Sequence, residues 1–155
     1  MLEQRTQAGI EPGVVSQDNL EYIARRVDGD ARQAISLLYH SVRNLQFGDR
    51  VELTEAAIND AEPDATRHIV RSRLLSLSRD QRIALECLGE NGPSTSGELY
   101  VCYRDRVDDP CTKPTVRGWM PKFGGYELVV NKGPSHAPRY RVCEQVLEEL
   151  DYKPI

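Results

Sequence analysis

Basic side chains in the second half of the sequence have the types and spacing needed to bind a polyanion. Lys113, Arg117 and Lys122 recur along one predicted helix, and Arg139 and Arg141 lie in the segment that follows it. Ammonium and guanidinium groups carry several donors each and pair with phosphate oxygens. The chemistry that these residues favour is therefore binding to a nucleic-acid backbone.

Other polar residues in the same two segments could take part in this contact. Arg117 and Thr115 are the best candidates for base edges, because a helix that enters the major groove presents such side chains to the bases. The other basic residues would position the protein on phosphates. The full candidate set is Lys113, Thr115, Arg117, Lys122, Lys132, Ser135, His136, Arg139 and Arg141.

The distribution of charge supports a local basic surface in an otherwise acidic chain. The 155 residues carry a net charge of −4 at pH 7. Residues 1–62 hold six Arg and eleven acidic residues, whereas residues 100–142 hold eight basic and four acidic residues. For any single Lys or Arg, an ordinary solvated position is the better interpretation. The clustering of several on two elements favours DNA contact.

Three helices are predicted ahead of and including the basic segment. Ser78 and Thr95 each begin a capping-box pattern followed by apolar residues. Pro114 suits the first turn of a third helix, which Gly124-Gly125 would end. Val116, Met120 and Phe123 recur at helical spacing and would form its buried face, together with Trp119. Pro121 removes one backbone hydrogen bond and predicts that this helix is short or kinked.

An extended hairpin is predicted after the third helix. Residues 126–130 are rich in strand-forming side chains, residues 131–138 contain Gly and Pro and form the tip, and residues 139–142 alternate polar and apolar. Residues 143–150 could form a closing helix. Three helices followed by a basic hairpin is the order of a winged-helix domain, in which the third helix enters the major groove and the hairpin reaches an adjacent groove or backbone.

The first part of the chain is predicted to be a helical bundle. A short helix over residues 2–8 is followed by helices that begin after Ser16, Asp30 and Thr54, and Gly48 would close the second of these. Pro63 would begin a linking helix. We therefore expect a mainly α chain with a helical bundle at 1–62, a linking helix at 63–77 and a winged helix at 78–150.

One stretch of this bundle resembles a known family. The sequence from Val27 to Leu38, VDGDARQAISLL, is similar to the sensor-two region of archaeal AAA+ replication initiators, which are related to the origin recognition complex and cell-division-control proteins. In that family a Gly-Asp-x-Arg element opens a helix of the lid, and a winged-helix domain follows. The resemblance implies that Arg32 is a nucleotide sensor that reaches the γ-phosphate of ATP.

The resemblance implies a function in replication rather than self-sufficient catalysis. The sequence contains no Gly-x-x-x-x-Gly-Lys-Ser/Thr loop, so we expect no cofactor in this chain and infer ATP and magnesium only for a full-length member. The expected partner is double-stranded DNA at replication origins, with other replication proteins as further partners. The alternative is a protein-interaction module in a replication complex. An ATP-hydrolysing fragment is the weaker alternative.

Membrane insertion and metal binding are not predicted. No run of about 18 apolar residues is present, and the first residues lack the apolar core of a signal peptide. We expect a cytoplasmic protein. The four cysteines are 15, 9 and 32 residues apart without a Cys-x-x-Cys motif, which favours reduced thiols over a zinc site.

Overall fold

The computed structural model describes residues 2–3, 9–46 and 52–150 of the chain. The chain forms two compact units, Met1–Ile69 and Val70–Ile155. The described residues have the predicted mainly helical fold with a small β-hairpin. Its elements are α1 (Gln17–Arg26), α2 (Ala31–Gln46), α3 (Glu55–Leu75), α4 (Arg79–Asn91), α5 (Ser96–Arg104), α6 (Lys113–Gly125), β1 (Val129–Asn131), β2 (Tyr140–Val142) and α7 (Glu144–Leu150).

The helices of the first unit begin at the predicted capping residues. Ser16 and Asn19 form a reciprocal capping box at the start of α1, with bonds of 2.9 and 3.2 Å. Asp30 accepts from two amides of the first turn of α2 at 2.9 and 3.1 Å, and Thr54 accepts from the amide of Ala57 at 3.2 Å. The predictions for Gln4–Ala8 and Gly48 lie outside the described residues.

The core of the first unit lies where α1, α2 and α3 present their apolar faces. Ile23, Ile58 and Ala61 are fully buried in it. The Ser36 hydroxyl donates a hydrogen bond of 3.1 Å to the carbonyl of Ala65, which links α2 to α3. The buried members of this core are Leu20, Ile23, Ala34, Leu37, Leu38, Leu45, Leu53, Ile58, Ala61 and Ala65.

The break predicted between a bundle helix and a linking helix is absent. Helix α3 continues from Glu55 through Pro63 to Leu75. Proline in a helix interior removes one backbone bond, but Ala61 and Ala65 on either side are buried in the core. Burial of this apolar stripe offsets the lost bond, so the predicted linking helix is the second half of α3.

Three helices and the hairpin enclose the core of the second unit. Two predicted capping boxes are present, Ser78 with Gln81 and Thr95 with Glu98. The core consists of Val70, Leu74, Ala84, Leu85, Cys87, Leu88, Leu99, Tyr103, Val116, Met120, Phe123, Leu128, Val129, Val142, Val146 and Leu150. Helix α7 closes this unit, as predicted, and the ion pair of its buried Glu149 with Arg71 links it to the end of α3.

Helix α6 is not shortened at Pro121. It continues to Gly125, and the carbonyl that loses its partner belongs to Arg117, whose side chain is exposed. Water can satisfy a carbonyl at an exposed position, which lowers the cost of the missing bond. The full helix therefore remains available to present its outer face.

The first strand begins later than predicted because the end of α6 forms a Schellman motif. Leu128 donates its amide to the carbonyl of Phe123, and Glu127 donates to Gly124, both at 2.9 Å. Glu127 takes the left-handed conformation that this motif requires, with φ 54°. Phe123 and Leu128 are both fully buried. Residues 126–128 thus turn the chain, and β1 starts only at Val129.

The two strands of the hairpin are antiparallel, and Ser94 forms an isolated antiparallel bridge with the second strand. Val129 pairs with Val142, and Asn131 pairs with Tyr140. Ser94, in the loop before α5, exchanges two backbone bonds with Tyr140 at 2.8 and 3.0 Å. These bonds attach the hairpin to the loop that leads into α5.

Candidate nucleic-acid interface

The face of α6 that carries the candidate residues points away from the core. Val116, Met120 and Phe123 are buried, whereas Lys113 and Arg117 are exposed, as their spacing predicts. Thr115 is also exposed, and its hydroxyl lies 2.9 Å from that of Thr112 at the start of the helix. The packing of one side of α6 therefore fixes which side chains are offered to a partner. Thr112 makes no side-chain cap to this helix.

Lys113 lies against the first turn of α5. A Cβ atom added to Gly97 would come within 3.7 Å of the Lys113 ammonium nitrogen. This position brings a cation to the N-terminal end of a helix, where backbone amides and the helix dipole already favour an anion.

Arg139, which precedes β2, reaches the same turn from the hairpin. Its guanidinium donates to the carbonyl of Pro93 at 3.1 and 3.3 Å. It also lies 3.3 and 3.5 Å from the two carboxylate oxygens of Glu98. Lys113 and Arg139 therefore approach neighbouring residues, Gly97 and Glu98, from two separate elements.

Glu98 is an acidic residue at the centre of this basic region. It accepts from the Thr95 amide at 2.7 Å and from the Thr95 hydroxyl at 3.0 Å. These two hydrogen bonds, followed by Arg139, hold the pKa of the Glu98 carboxyl below its ordinary value. The carboxylate is ionised at neutral pH. From the sequence, Glu98 is recognisable only as the last residue of the capping-box pattern that begins at Thr95, because its ion pair joins positions 41 residues apart.

Besides Arg139, two basic candidates contact other side chains of the protein. Lys122 is half-buried, donates a hydrogen bond of 3.0 Å to Gln81, and lies 5.6 Å from the centroid of the Tyr126 ring. Arg141 is paired with Glu144 at 3.2 Å. Lys122 thus connects α6 to α4. These contacts make both residues weaker candidates for phosphate than Lys113 and Arg117.

Hydrogen bonds to the Asn131 side chain connect the two ends of the hairpin tip. The Asn131 side chain accepts from the amides of Gly133 and Arg139 at 2.9 and 3.2 Å. Lys132, Ser135 and His136 are exposed on this tip. Because the tip has a defined backbone, Lys132 extends from a fixed position. No contact between these three side chains and α6 is recorded in the described part of the chain.

Tyr103 is a positioning residue that is not among the nine candidates predicted from the sequence. Its hydroxyl donates to Asp80 at 2.8 Å and accepts from the amide of Cys111 at 3.0 Å. Its ring meets that of Trp119 edge to face, with centroids 5.5 Å apart. Burial is the largest cause that raises the pKa of the Tyr103 hydroxyl, so it stays protonated and can donate. Tyr103 fixes the loop that leads into α6.

Arg32 lies in the first unit, at the start of α2. Its amide donates to the Asp30 side chain at 2.9 Å, which caps the helix, and its side chain is exposed. An exposed guanidinium in the first turn is free to extend towards a phosphate. The nucleotide-sensor role stays a prediction.

Comparison with known proteins identifies both parts of the chain. Residues 1–63 match the family described as Cdc6 AAA+ ATPase-type lid domain. Over 144 residues, the chain is 31% identical to ORC1-type DNA replication protein 9 of Halobacterium salinarum, covering 93% of the chain. It is 32% identical over 117 residues to ORC1-type DNA replication protein 1 of the same organism. The chain belongs to the archaeal family of origin-recognition and cell-division-control replication proteins.

The match covers only part of these relatives. The chain spans 41% and 38% of the two Halobacterium proteins. Its fold is that of the Aeropyrum pernix ORC1 protein, solved in complex with DNA, with a TM-score of 0.69, 20% identity, and coverage of 96% of the chain and 44% of that protein. This likeness establishes a lid-type bundle followed by a winged helix.

Two further properties of the described residues bear on the site. None of their helices is long and apolar enough to cross a membrane. Within the same residues, no three His, Cys, Asp or Glu side chains gather as a metal site requires.

Proposed function

We propose that this chain binds double-stranded DNA through the winged helix, using the outer face of α6, the first turn of α5 and the hairpin. The observation that carries the proposal is the approach of Lys113 and Arg139 to adjacent residues, Gly97 and Glu98. Cations from two elements beside a helix N-terminus form a surface suited to backbone phosphates. The related fold of the Aeropyrum protein, solved with DNA, supports this proposal.

Within this surface the residues have different roles. Lys113, Lys132 and Arg139 would contact phosphates, and Arg117 and Thr115 would face base edges from the exposed side of α6. We further propose that the DNA is a replication origin, in keeping with the family. Arg32 would contact the γ-phosphate of ATP when a full-length protein supplies the nucleotide site, and this chain itself would not hydrolyse ATP.

A titration of a fluorescent duplex at several salt concentrations tests the proposal. The logarithm of affinity should fall linearly with that of salt, with a slope of roughly 0.9 per phosphate contact. The double variant Lys113→Ala/Arg117→Ala should lower the magnitude of the slope by about 0.9, for the phosphate contact of Lys113, and should weaken binding further because Arg117 no longer contacts the bases. Arg25→Ala removes an exposed cation from α1 in the first unit and serves as the charge control.

The control decides between a defined surface and general attraction. An equal loss of affinity in Arg25→Ala would contradict the proposed interface. Absence of duplex binding at low salt would contradict it as well, and would favour the alternative of a protein-interaction module in a replication complex.

A further inference from the structure

Arg139, one of the cations of the proposed interface, forms an ion pair with an acidic side chain, Glu98. Both side chains are about half exposed, at 48% and 56%. The carboxylate lies beside a cation that the interface would use, on the turn that Lys113 also approaches. A phosphate that binds Arg139 must therefore come close to a negative group of the protein.

The contacts of Arg139 define how it can be released. Its Nε and Nη2 atoms donate to the Pro93 carbonyl, and Nη2 also lies against Glu98. The bonds to Pro93 hold the guanidinium in place without the carboxylate. Loss of the Glu98 charge would therefore leave Arg139 in position and free the donor that now contacts the carboxylate.

A substitution can remove the negative charge of Glu98 and keep its hydrogen bonds at the start of α5. The cap needs only an oxygen that accepts from Thr95, and glutamine provides such an oxygen at this position of a capping box. Glu98→Gln therefore removes the charge and keeps the start of α5.

We propose that Glu98 is an internal counter-ion that occupies, in the free protein, the place a DNA phosphate takes at Arg139, and so limits the affinity of the interface. DNA binding then exchanges a carboxylate for a phosphate at the same guanidinium. This inference rests on the proposed function, and it assigns to Glu98 a role that opposes binding, distinct from its cap.

The test compares Glu98→Gln with the unchanged 155-residue chain in the duplex titration. Affinity at low salt should rise about fivefold, as expected when one repulsion between unit charges near 4 Å is removed in water. The salt slope should steepen by about 0.9, because no displaced carboxylate then takes up a cation when the phosphate binds Arg139. Thermal unfolding followed by circular dichroism verifies that α5 and its cap remain folded.

A matched control separates this effect from a change in net charge. Glu90 is an exposed acid in the last turn of α4 that pairs with Arg106, two residues beyond the end of α5. Glu90→Gln makes the same change in net charge and in chemistry, and should leave the salt slope unchanged. An equal gain of affinity in this control would overturn the inference.

A second background tests whether Glu98 acts through Arg139. In Arg139→Gln, the further change Glu98→Gln should leave the salt slope unchanged, because no guanidinium is released. An undiminished steepening there, or weaker or unchanged binding by Glu98→Gln alone, would overturn the inference while the proposed function stands. If neither the unchanged chain nor Glu98→Gln binds duplex, both the proposed function and this inference fail.

Discussion

The hydroxyl of Tyr103 in α5 donates a hydrogen bond of 2.8 Å to the carboxylate of Asp80 in the first turn of α4. The same oxygen accepts from the amide of Cys111, in the loop before α6. One fully buried side chain thus joins two helices of the winged helix and the entry to the third. The orientation of the candidate DNA-binding helix depends on this contact.

Tyr103→Phe should therefore destabilise the chain without changing its apolar packing. The substitution leaves the Cys111 amide and the Asp80 carboxylate without their partner, at an expected cost of about 1–3 kcal/mol. Urea unfolding measures it as a lower midpoint. Tyr100→Phe is the control, because this half-buried tyrosine has no recorded hydroxyl bond in the described residues. Equal midpoints for the two variants would contradict the role of Tyr103.

Gly133→Ala should disorder the hairpin tip and leave the core intact. A Cβ at this position would lie 2.3 Å from the Ala137 carbonyl oxygen and 2.7 Å from the Arg139 nitrogen, so the backbone must move. Duplex affinity should fall by about threefold or more, as expected if at least one phosphate contact is weakened. The unfolding midpoint should change little. Unchanged affinity would show that the tip does not contribute to binding.

Lys132→Ala should weaken duplex binding more than Arg141→Ala. Lys132 is exposed on the ordered tip, whereas Arg141 is already paired with Glu144 at 3.2 Å. We expect the salt slope to fall by about 0.9 for Lys132→Ala and by clearly less for Arg141→Ala. The two variants carry the same net charge, so each controls for the other. The reverse order would contradict the assignment of the hairpin cations.

The first unit should lose stability in mild acid because of His40. Burial, followed by the neighbouring His68, lowers the pKa of His40 below 6.5, Asp64 opposes this shift, and Arg43 adds to it. The unfolded state then binds a proton more readily, so the free energy of unfolding falls as pH drops from about 6.5 through the lower folded pKa. Above this window His40 contributes no pH dependence.

Thermal unfolding between about pH 7.5 and pH 5 measures this effect, since the window lies around the ordinary pKa of histidine. His40→Gln should flatten the decrease in melting temperature, because the group that gains the proton is gone. His136→Gln, which changes an exposed histidine of the hairpin, should retain it. A decrease that persists undiminished in His40→Gln would exclude His40 as its source.

Helix starts could be predicted because their signals are local. Ser16, Asp30 and Thr54, like Ser78 and Thr95, each accept from an amide two or three residues later, and this spacing is visible in the sequence. The apolar spacing of α6 was equally informative, since it placed Val116 and Phe123 inside. The order of elements that indicated a winged helix follows from these local features.

Errors arose where distant packing outweighs a local signal. Pro63 predicts a helix start, yet α3 continues because Ala61 and Ala65 are buried on either side. Gly124-Gly125 predicts an immediate strand, yet the chain turns through Glu127 because Leu128 is buried against the end of α6. Neither burial can be deduced from the residues beside the proline or the glycines.

The sequence predicts which segments carry the candidate site, but not the contacts that its side chains make. The sequence indicates which segments are basic, but it does not indicate that Lys122 donates to Gln81 or that Arg139 lies against Glu98. Both contacts join residues 41 positions apart. Because they depend on how helices and hairpin pack, the division between free and engaged cations required the structure.

The most direct test of the account is a map of backbone amide shifts in ¹⁵N-labelled chain during titration with duplex DNA. We expect saturable changes at Ser96–Glu98 in the first turn of α5, at the start of α6 and on the hairpin around Lys132 and Arg139, with α7 unaffected. Changes confined to the first unit, or no change at a duplex concentration high enough to saturate the site, would contradict a DNA-binding surface built from α5, α6 and the hairpin.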